Sequence, residues 1–255
     1  MRLNLNSDLS EGWGPFEMGD DAALIEVVST ANIACGLHGG EPRIMREALR
    51  RARDRGVSVG AHPGYADLYG FGRRPMQLPA AEVESLILYQ LGALAALARA
   101  EGMALTHVKP HGALNNQASA DPALADTVAR AVAGFDAGLI LLAPVFSELA
   151  LAGDRAGLRV ALEVFADRAY SPDGQLAPRS QPGAVLHRPA ESLAHVQRMI
   201  DGGGVVTIDG ALLPTAFHSI CVHGDGPLAV QTAVALRQAL LEQSHELLPL
   251  PALMD

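Results

Sequence analysis

Lys109 is the only lysine among the 19 basic residues of this 255-residue chain. It stands in Thr106-His107-Val108-Lys109-Pro110-His111-Gly112, and in an extended strand residues 107, 109 and 111 face one way. Two imidazoles and one ammonium then converge on a small volume. An ammonium is a compact charge whose pKa can be moved, whereas a guanidinium stays planar and charged. A chain that uses Arg everywhere else and Lys here points to a position that needs an amine. Titratable groups recur after other apolar runs: Asp8, His38, His62, the pair Asp167 and Arg168, and the pair His223 and Asp225. Asp8, His38 and His62 could offer a carboxylate and two imidazoles to a hydrolytic metal. Lys109 with Arg73, Arg168 and Arg179 argues more for an anionic substrate, because Arg forks clamp carboxylate or phosphate and a Lys stabilises a developing oxyanion. Spacing alone leaves both open.

Four other patterns fail on context. Gly56-Val57-Ser58-Val59-Gly60 fits the G-x-S-x-G elbow, but a helix precedes it and Ser58 lies inside a strand, the reverse of what that elbow needs. His107 and His111 have the spacing of helical zinc ligands, yet Pro110 forbids a helix interior there. The sole Lys precedes Pro110, so a G-K-[ST] nucleotide loop is excluded. No G-x-G-x-x-G follows a strand, so a dinucleotide is not indicated.

The elements that must position these groups alternate regularly. Strands are expected at 2–6, 31–35, 57–61, 105–109, 139–143 and 158–165, with strand-like runs at 205–208 and 218–222 separated by the turn signal Asp209-Gly210. Asp8 and Glu11 are placed in the loop after the first strand. Helices are expected at 20–29, from Glu41-Pro42 to the stop at Gly56, at 80–101, from Asp121-Pro122 onward, at 146–153, at 190–201 and from Gly226-Pro227 to about Gln243. The longest irregular segment is Ala166 to Gln181, and the tail 247–255 reads as a surface strap. With no linker or shift in composition, the pattern predicts a single parallel (β/α) barrel over residues 1–255, with about seven strands. Active sites of such barrels gather at the C-terminal strand ends, where the candidate groups stand.

Composition narrows the partners. The chain is 49% hydrophobic with formal net charge −9. The densest basic run, Arg46 to Arg55, reads as the solvated face of a helix, and nucleic acid is not an expected partner. Cys35 and Cys221 lie far apart and suggest no disulfide framework. The N-terminus lacks the apolar core of a signal peptide, and no run of 18 apolar residues spans a membrane. A cytoplasmic protein is the expectation.

Six stretches in order resemble the LamB/YcsF family, the A subunits of prokaryotic ATP-dependent 5-oxoprolinase. They are Leu5-Asn6-Ser7-Asp8-Leu9-Ser10-Glu11, Asn32 to Gly40, Gly60 to Tyr65 with Gly70 to Arg74, His107 to Leu114, Glu163 to Tyr170, and Ile220 to Asp225. The family usually has Cys at the place of Ser7, Gly at that of Ser10 and Tyr at that of Asn115. The first departure argues that no thiol is needed there. The resemblance implies a barrel of the glycoside hydrolase/deacetylase kind, and cleavage of 5-oxo-L-proline to L-glutamate coupled to ATP hydrolysis, with B and C subunits as partners and ATP as co-substrate. It implies Asp8, His62, Lys109, His111, Asp167 and His223 as catalytic residues, and Asn32, His38, Arg73, Arg168, Arg179 and Asp225 as substrate-binding residues, with a metal undecided. Two other readings are a metal-dependent deacetylase or amidohydrolase acting alone, and a non-catalytic subunit that delivers substrate.

Overall fold

Strand β1 (Arg2–Leu9) shows how the molecule is built. Leu3, Leu5 and Leu9 point one way into the main apolar core. Asn4, Asn6 and Asp8 point the other way and are just as buried. Buried amides and carboxylates need partners, and theirs come from other strands. The computed structural model describes residues 1–255. After β1 come α1 (Asp21–Ile25), β2 (Thr30–Ala34), α2 (Pro42–Arg55), β3 (Ser58–His62), α3 (Ala80–Ala100), β4 (His107–Val108), α4 (Gly112–Ala120) and α5 (Pro122–Phe135). They are followed by β5 (Ile140–Pro144), α6 (Glu148–Arg155), β6 (Arg159–Phe165), α7 (Pro189–Gly202), β7 (Gly204–Val206), β8 (Leu212–Pro214), β9 (Ser219–His223), α8 (Ala229–Glu242), β10 (Glu246–Leu247) and α9 (Leu250–Met254).

The sheet runs β1-β2-β3-β4-β5-β6-β9 and closes by pairing β9 with β1, every pairing parallel. The fold is therefore the expected parallel (β/α) barrel of seven strands. β10 adds only a short parallel pairing to Arg2 and Leu3. Outward-facing side chains such as Ile33, Val59, Val108, Leu141, Val164 and Ile220 merge with the helices in one apolar core. The interior is polar over most of its length. Ser219 Oγ donates to Asn4 Oδ1 (2.7 Å), while Asn6 Nδ2 donates to Ser219 Oγ (2.7 Å) and to Glu163 Oε1 (2.8 Å). Asn32 Nδ2 donates to Asn6 Oδ1 (2.7 Å) and Asp8 Oδ1 (2.8 Å). Gly60 leaves room for the His107 ring, since a Cβ there would stand 2.3 Å from it.

Several boundaries differ from expectation. β1 runs on to Leu9, so Asp8 belongs to the strand and not to the loop after it. His62 and His223 are the last residues of their strands. β4 is only two residues long, because Pro110 has no N–H for the ladder. Residues 112–120 form a helix that alternation did not reveal. The run at 205–208 is no barrel strand. β7 pairs antiparallel with β8 in a separate hairpin, and β9 closes the ring without it. The tail is a plug and not a surface strap. Leu250 is fully buried against Ile140, Leu142 and Ala161 inside the N-terminal end of the barrel, and Asn4 Nδ2 donates to Leu248 O (2.7 Å).

The helix termini follow local rules. Glu41 accepts from the Arg43 and Ile44 amides at the start of α2, and Gly56 ends it with φ 67°. A Cβ at Gly56 would meet nothing within 4 Å. Gly56→Ala therefore incurs backbone strain alone, about 1–2 kcal/mol, read as a lower denaturant midpoint with an unchanged slope. The arginines of α2 are half-exposed, and two of them pair with Glu101. Helix α3 has the length and hydropathy of a membrane span. Here it packs as a ring helix against α5 and β3, burying Val83, Ile87, Leu91, Leu94 and Ala98.

Candidate active site

At the C-terminal end of the barrel a cavity of about 210 Å³ opens. That is below the roughly 300–1,000 Å³ of sites for drug-sized ligands, so it suits a small molecule. Lys109 rises through its floor. Its Nζ lies 2.9 Å from Asp8 Oδ1, 3.1 Å from Glu163 Oε1, 3.0 Å from Cys221 Sγ and 3.4 Å from Asn6 Oδ1. The Phe165 ring stands 5.3 Å from the ammonium. Burial opposes the charge on Lys109, but its acidic neighbours, Asp8 foremost, outweigh it, so its pKa stands well above the usual value. Burial likewise opposes ionisation of Asp8, yet neighbouring positive charge holds the carboxyl below its usual range. At neutral pH that charge is chiefly Lys109, with His223 after it, because burial pushes His62 down to about 3. Glu163 moves the other way. Burial raises it in spite of Lys109, and its Oε2 has no hydrogen-bond partner. Asp8 is therefore the ionised partner of the lysine.

Beside this pair stand three imidazoles and Glu11. His62 Nδ1 lies 2.7 Å from Lys109 O, and His111 Nε2 lies 2.8 Å from Phe71 O. His62 Nε2 and His111 Nδ1 face each other at 2.9 Å. Glu11 Oε1 lies 3.1 Å from His111 Nδ1, 3.3 Å from His38 Nε2 and 3.8 Å from His62 Nε2. The His38 and His111 rings stack at 3.6 Å. Two non-glycine residues with left-handed backbone hold this group. Ser10 (φ 62°) turns the chain so that Glu11 folds back over the barrel end, and Phe71 (φ 53°) presents the carbonyl that meets His111. Such conformations cost about 1–3 kcal/mol each and cluster at functional sites. Gly72 is as constrained, because a Cβ there would come within 2.8 Å of both His38 and His111.

Across the cavity His223 Nδ1 bonds both oxygens of Asp167 at 2.9 Å, and its ring stacks on Phe165. Burial would lower His223, but Asp167 more than reverses this and raises its pKa. The rim is cationic. Arg73 Nη2 donates to Asp225 Oδ2 (2.6 Å) and lies over the Phe71 ring. Arg168 is almost wholly buried, with Nη2 donating to Ala177 O (2.7 Å), and it ties down the long segment after β6. Burial, with Arg179 next, lowers it to about 10. Arg179 is exposed and leans over the cavity.

Of the twelve residues picked from sequence, Asp8, His62, Lys109, His111, His223, Arg73, Arg168 and Arg179 line the cavity. Asp167 and Asp225 stand behind it, each holding a lining residue. Asn32 and His38 are fully buried and do not reach it. Asn32 is instead a bridge between Asp8, Asn6 and His107. The trio Asp8, His38 and His62 is not one donor set. Asp8 is taken up by Lys109 and Asn32, and Glu11 with His111 completes the set around His38 and His62. Sequence reasoning left Glu11, Glu163 and Cys221 out of the site. The signal for Glu163 was present, namely a lone carboxylate at an inward position of the apolar run 160–165.

The sequence matches the LamB/YcsF family over residues 3–255. It is 57% identical over 251 residues to the 5-oxoprolinase A subunit of an Azoarcus species, covering 98% of each chain. It is 51% identical over 238 residues to the 5-oxoprolinase A subunit of Methylococcus capsulatus, covering 93% of this chain and 92% of that one. The crystal structure of the lactam utilization protein from Thermus thermophilus superposes with a TM-score of 0.91 at 45% identity, over 97% of this chain and 99% of the other.

Proposed function

Because the chain belongs to the LamB/YcsF family, we propose that it is the lactam-binding, ring-opening subunit of an ATP-dependent 5-oxoprolinase, converting 5-oxo-L-proline to L-glutamate. The observation that carries this reading is a small cavity with Lys109 in its floor, a carboxylate-oriented His223 in its wall and arginines at its rim. A five-membered lactam is an unstrained, poor electrophile. Phosphorylation of its carbonyl oxygen makes the ring carbon electrophilic. Water adds there, and the C–N bond breaks with the nitrogen leaving as a protonated amine. The resulting γ-acyl phosphate is hydrolysed by a second water to glutamate and phosphate. The relatives are named as one lettered subunit of their enzyme, and we assign the nucleotide step to partner subunits, the B and C subunits that the resemblance implies.

In this reading Arg179 takes the substrate carboxylate. It is preferred to Arg168, whose guanidinium is committed to backbone carbonyls. Lys109 faces the negative charge that develops at the activated carbonyl. His223 takes the proton of the attacking water, held by Asp167 in the tautomer that leaves Nε2 free. His62 suits that role less, since its Nδ1 is held by the Lys109 carbonyl and not by a carboxylate, and its Nε2 faces His111 Nδ1 at 2.9 Å. Arg179→Gln removes a charged hydrogen bond of about 1.5–3 kcal/mol, so KM for 5-oxoproline rises roughly 10- to 100-fold while kcat changes little.

The deciding experiment is glutamate release from 5-oxoproline and ATP, with this chain alone and with its candidate partner subunits. Release that requires both this chain and the partners supports the proposal. Full release by the partners without this chain rejects it. Undiminished release from a complex in which His62, Lys109 and His111 are all replaced makes this chain a delivery subunit instead.

A further inference from the structure

The hydrogens of two imidazoles can be placed from their partners. A carbonyl oxygen only accepts, so His62 carries its proton on Nδ1, facing Lys109 O, and His111 carries its proton on Nε2, facing Phe71 O. In the neutral rings the remaining nitrogens, His62 Nε2 and His111 Nδ1, are bare lone pairs. They point at each other across 2.9 Å. Glu11 Oε1 faces the same point, 3.1 Å from one and 3.8 Å from the other, and it too only accepts when ionised. Three electron-rich atoms thus converge with no donor hydrogen among them. Such an arrangement repels itself unless a cation lies between.

We propose that Glu11, His62 and His111, with His38 as a fourth donor, bind a divalent first-row transition ion. The ligand atoms of these four residues all lie within 4.8 Å of one another. Two ligands each about 2.0–2.1 Å from one ion, at octahedral or tetrahedral angles, stand roughly 2.9–3.4 Å apart. The His62–His111, Glu11–His111 and Glu11–His38 separations of 2.9, 3.1 and 3.3 Å fall in that interval, and the Glu11–His62 separation, 3.8 Å, lies just outside it. The outer hydrogen bonds are those of metal-ligating histidines, in which the second ring nitrogen donates to a backbone carbonyl and so fixes tautomer and orientation. Three imidazoles and a carboxylate suit zinc, nickel, cobalt or iron better than magnesium or calcium.

A proton between the imidazoles is the rival occupant. It would sit on the His62 Nε2–His111 Nδ1 line, whereas Glu11 and His38 also turn donor atoms to the same point, as an ion's ligands would. Glu11, His62 and His111 border the cavity, whereas His38 lies behind them. The open side of the ion therefore faces the substrate pocket, with Asp8 Oδ2 3.4 Å from His62 Nε2 on that side. The inference rests on this geometry and not on the lactam reading, and its test needs no turnover.

The full chain is stripped with a chelator and titrated with zinc and with cobalt, followed by calorimetry and, for cobalt, visible absorption. One equivalent is expected to bind at micromolar affinity or tighter, with a ligand-field spectrum of histidine coordination. Glu11→Gln and His111→Ala should each weaken binding at least 100-fold, with circular dichroism unchanged. His245→Ala, at a half-buried histidine beside the N-terminus and the start of β1, should leave it intact. If His111→Ala does not fold, the nearly isosteric Glu11→Gln carries the test. Failure of the folded wild type to bind either ion, as expected if a shared proton sits there, overturns the proposal. So does binding that survives Glu11→Gln and is lost in Asp8→Asn or Cys221→Ser.

Discussion

Lys109→Met is expected to lower the stability of the folded chain by about 3–5 kcal/mol, the usual cost of removing one partner from a buried ion pair. For a chain of this size that corresponds to a fall in Tm of roughly 6–20 °C. The substitution leaves Asp8 ionised, buried and without its ammonium. The loss depends on pH in a defined sense. Because the folded pKa of Asp8 lies below its ordinary value of 3.8, the pair stabilises the fold above that value, and the contribution fades as pH falls through the folded pKa. The gap between wild type and variant is thus widest at neutral pH and closes in strong acid. Thermal unfolding of both proteins at several pH values tests this, and a gap that is constant down to about pH 2 refutes it. Lys109→Arg keeps the charge but not the shape. A guanidinium must fit where one nitrogen already has four polar neighbours within 3.4 Å, so about 1–3 kcal/mol of packing strain is expected. Its effect on turnover is larger, a loss of roughly 10²–10³ in kcat of the complex. Normal turnover by that variant would remove Lys109 from the chemistry.

His223→Gln should lower kcat/KM by about 10²–10⁴, the range for loss of a general base. Loss of activity alone would not separate chemistry from packing, so Asp167→Asn supplies a second readout. Asp167 raises His223 above its ordinary 6.5. The pair's contribution to stability is then complete below 6.5 and is lost as pH rises through the raised value. The proton-accepting form of His223 appears over the same interval. In the wild type the acidic limb of kcat/KM is therefore expected above 6.5, and in Asp167→Asn, where burial is less opposed, it moves down to 6.5 or below while the plateau falls. A limb that stays in place after that substitution would sink the assignment of His223.

Much of the barrel was legible because its signals are local. Apolar runs marked the strands, Gly56 marked a helix end, and titratable residues after successive runs marked the catalytic face. What was not legible depends on closure. The run 205–208 has good strand composition, yet whether it joins the ring depends on which strand lies beside β6, and β9 takes that place. Leu250 looks like any residue of a Pro- and Leu-rich tail until the barrel's open end needs filling. Asn32 carried a plausible polar side chain, but its depth follows from its register beside Asp8 in β1. Glu11 was hidden by the turn at Ser10, whose left-handed backbone sequence does not announce. The alternation of Asn4, Asn6 and Asp8 with leucines was the most informative stretch. In a barrel clad outside by helices, the polar side of such a strand has to face inward.

That inward column, from Asn4 and Ser219 through Asn6 and Asn32 to Asp8, also limits how the protein can change over generations. Each member has another member among its hydrogen-bond partners. A single replacement strands a buried polar atom on its neighbour, at about 1–3 kcal/mol, and the effects of two replacements do not add. The column therefore drifts in compensating pairs or hardly at all, while the helices around it exchange one apolar residue for another freely. In a population of such sequences, the interior would be inherited as a block.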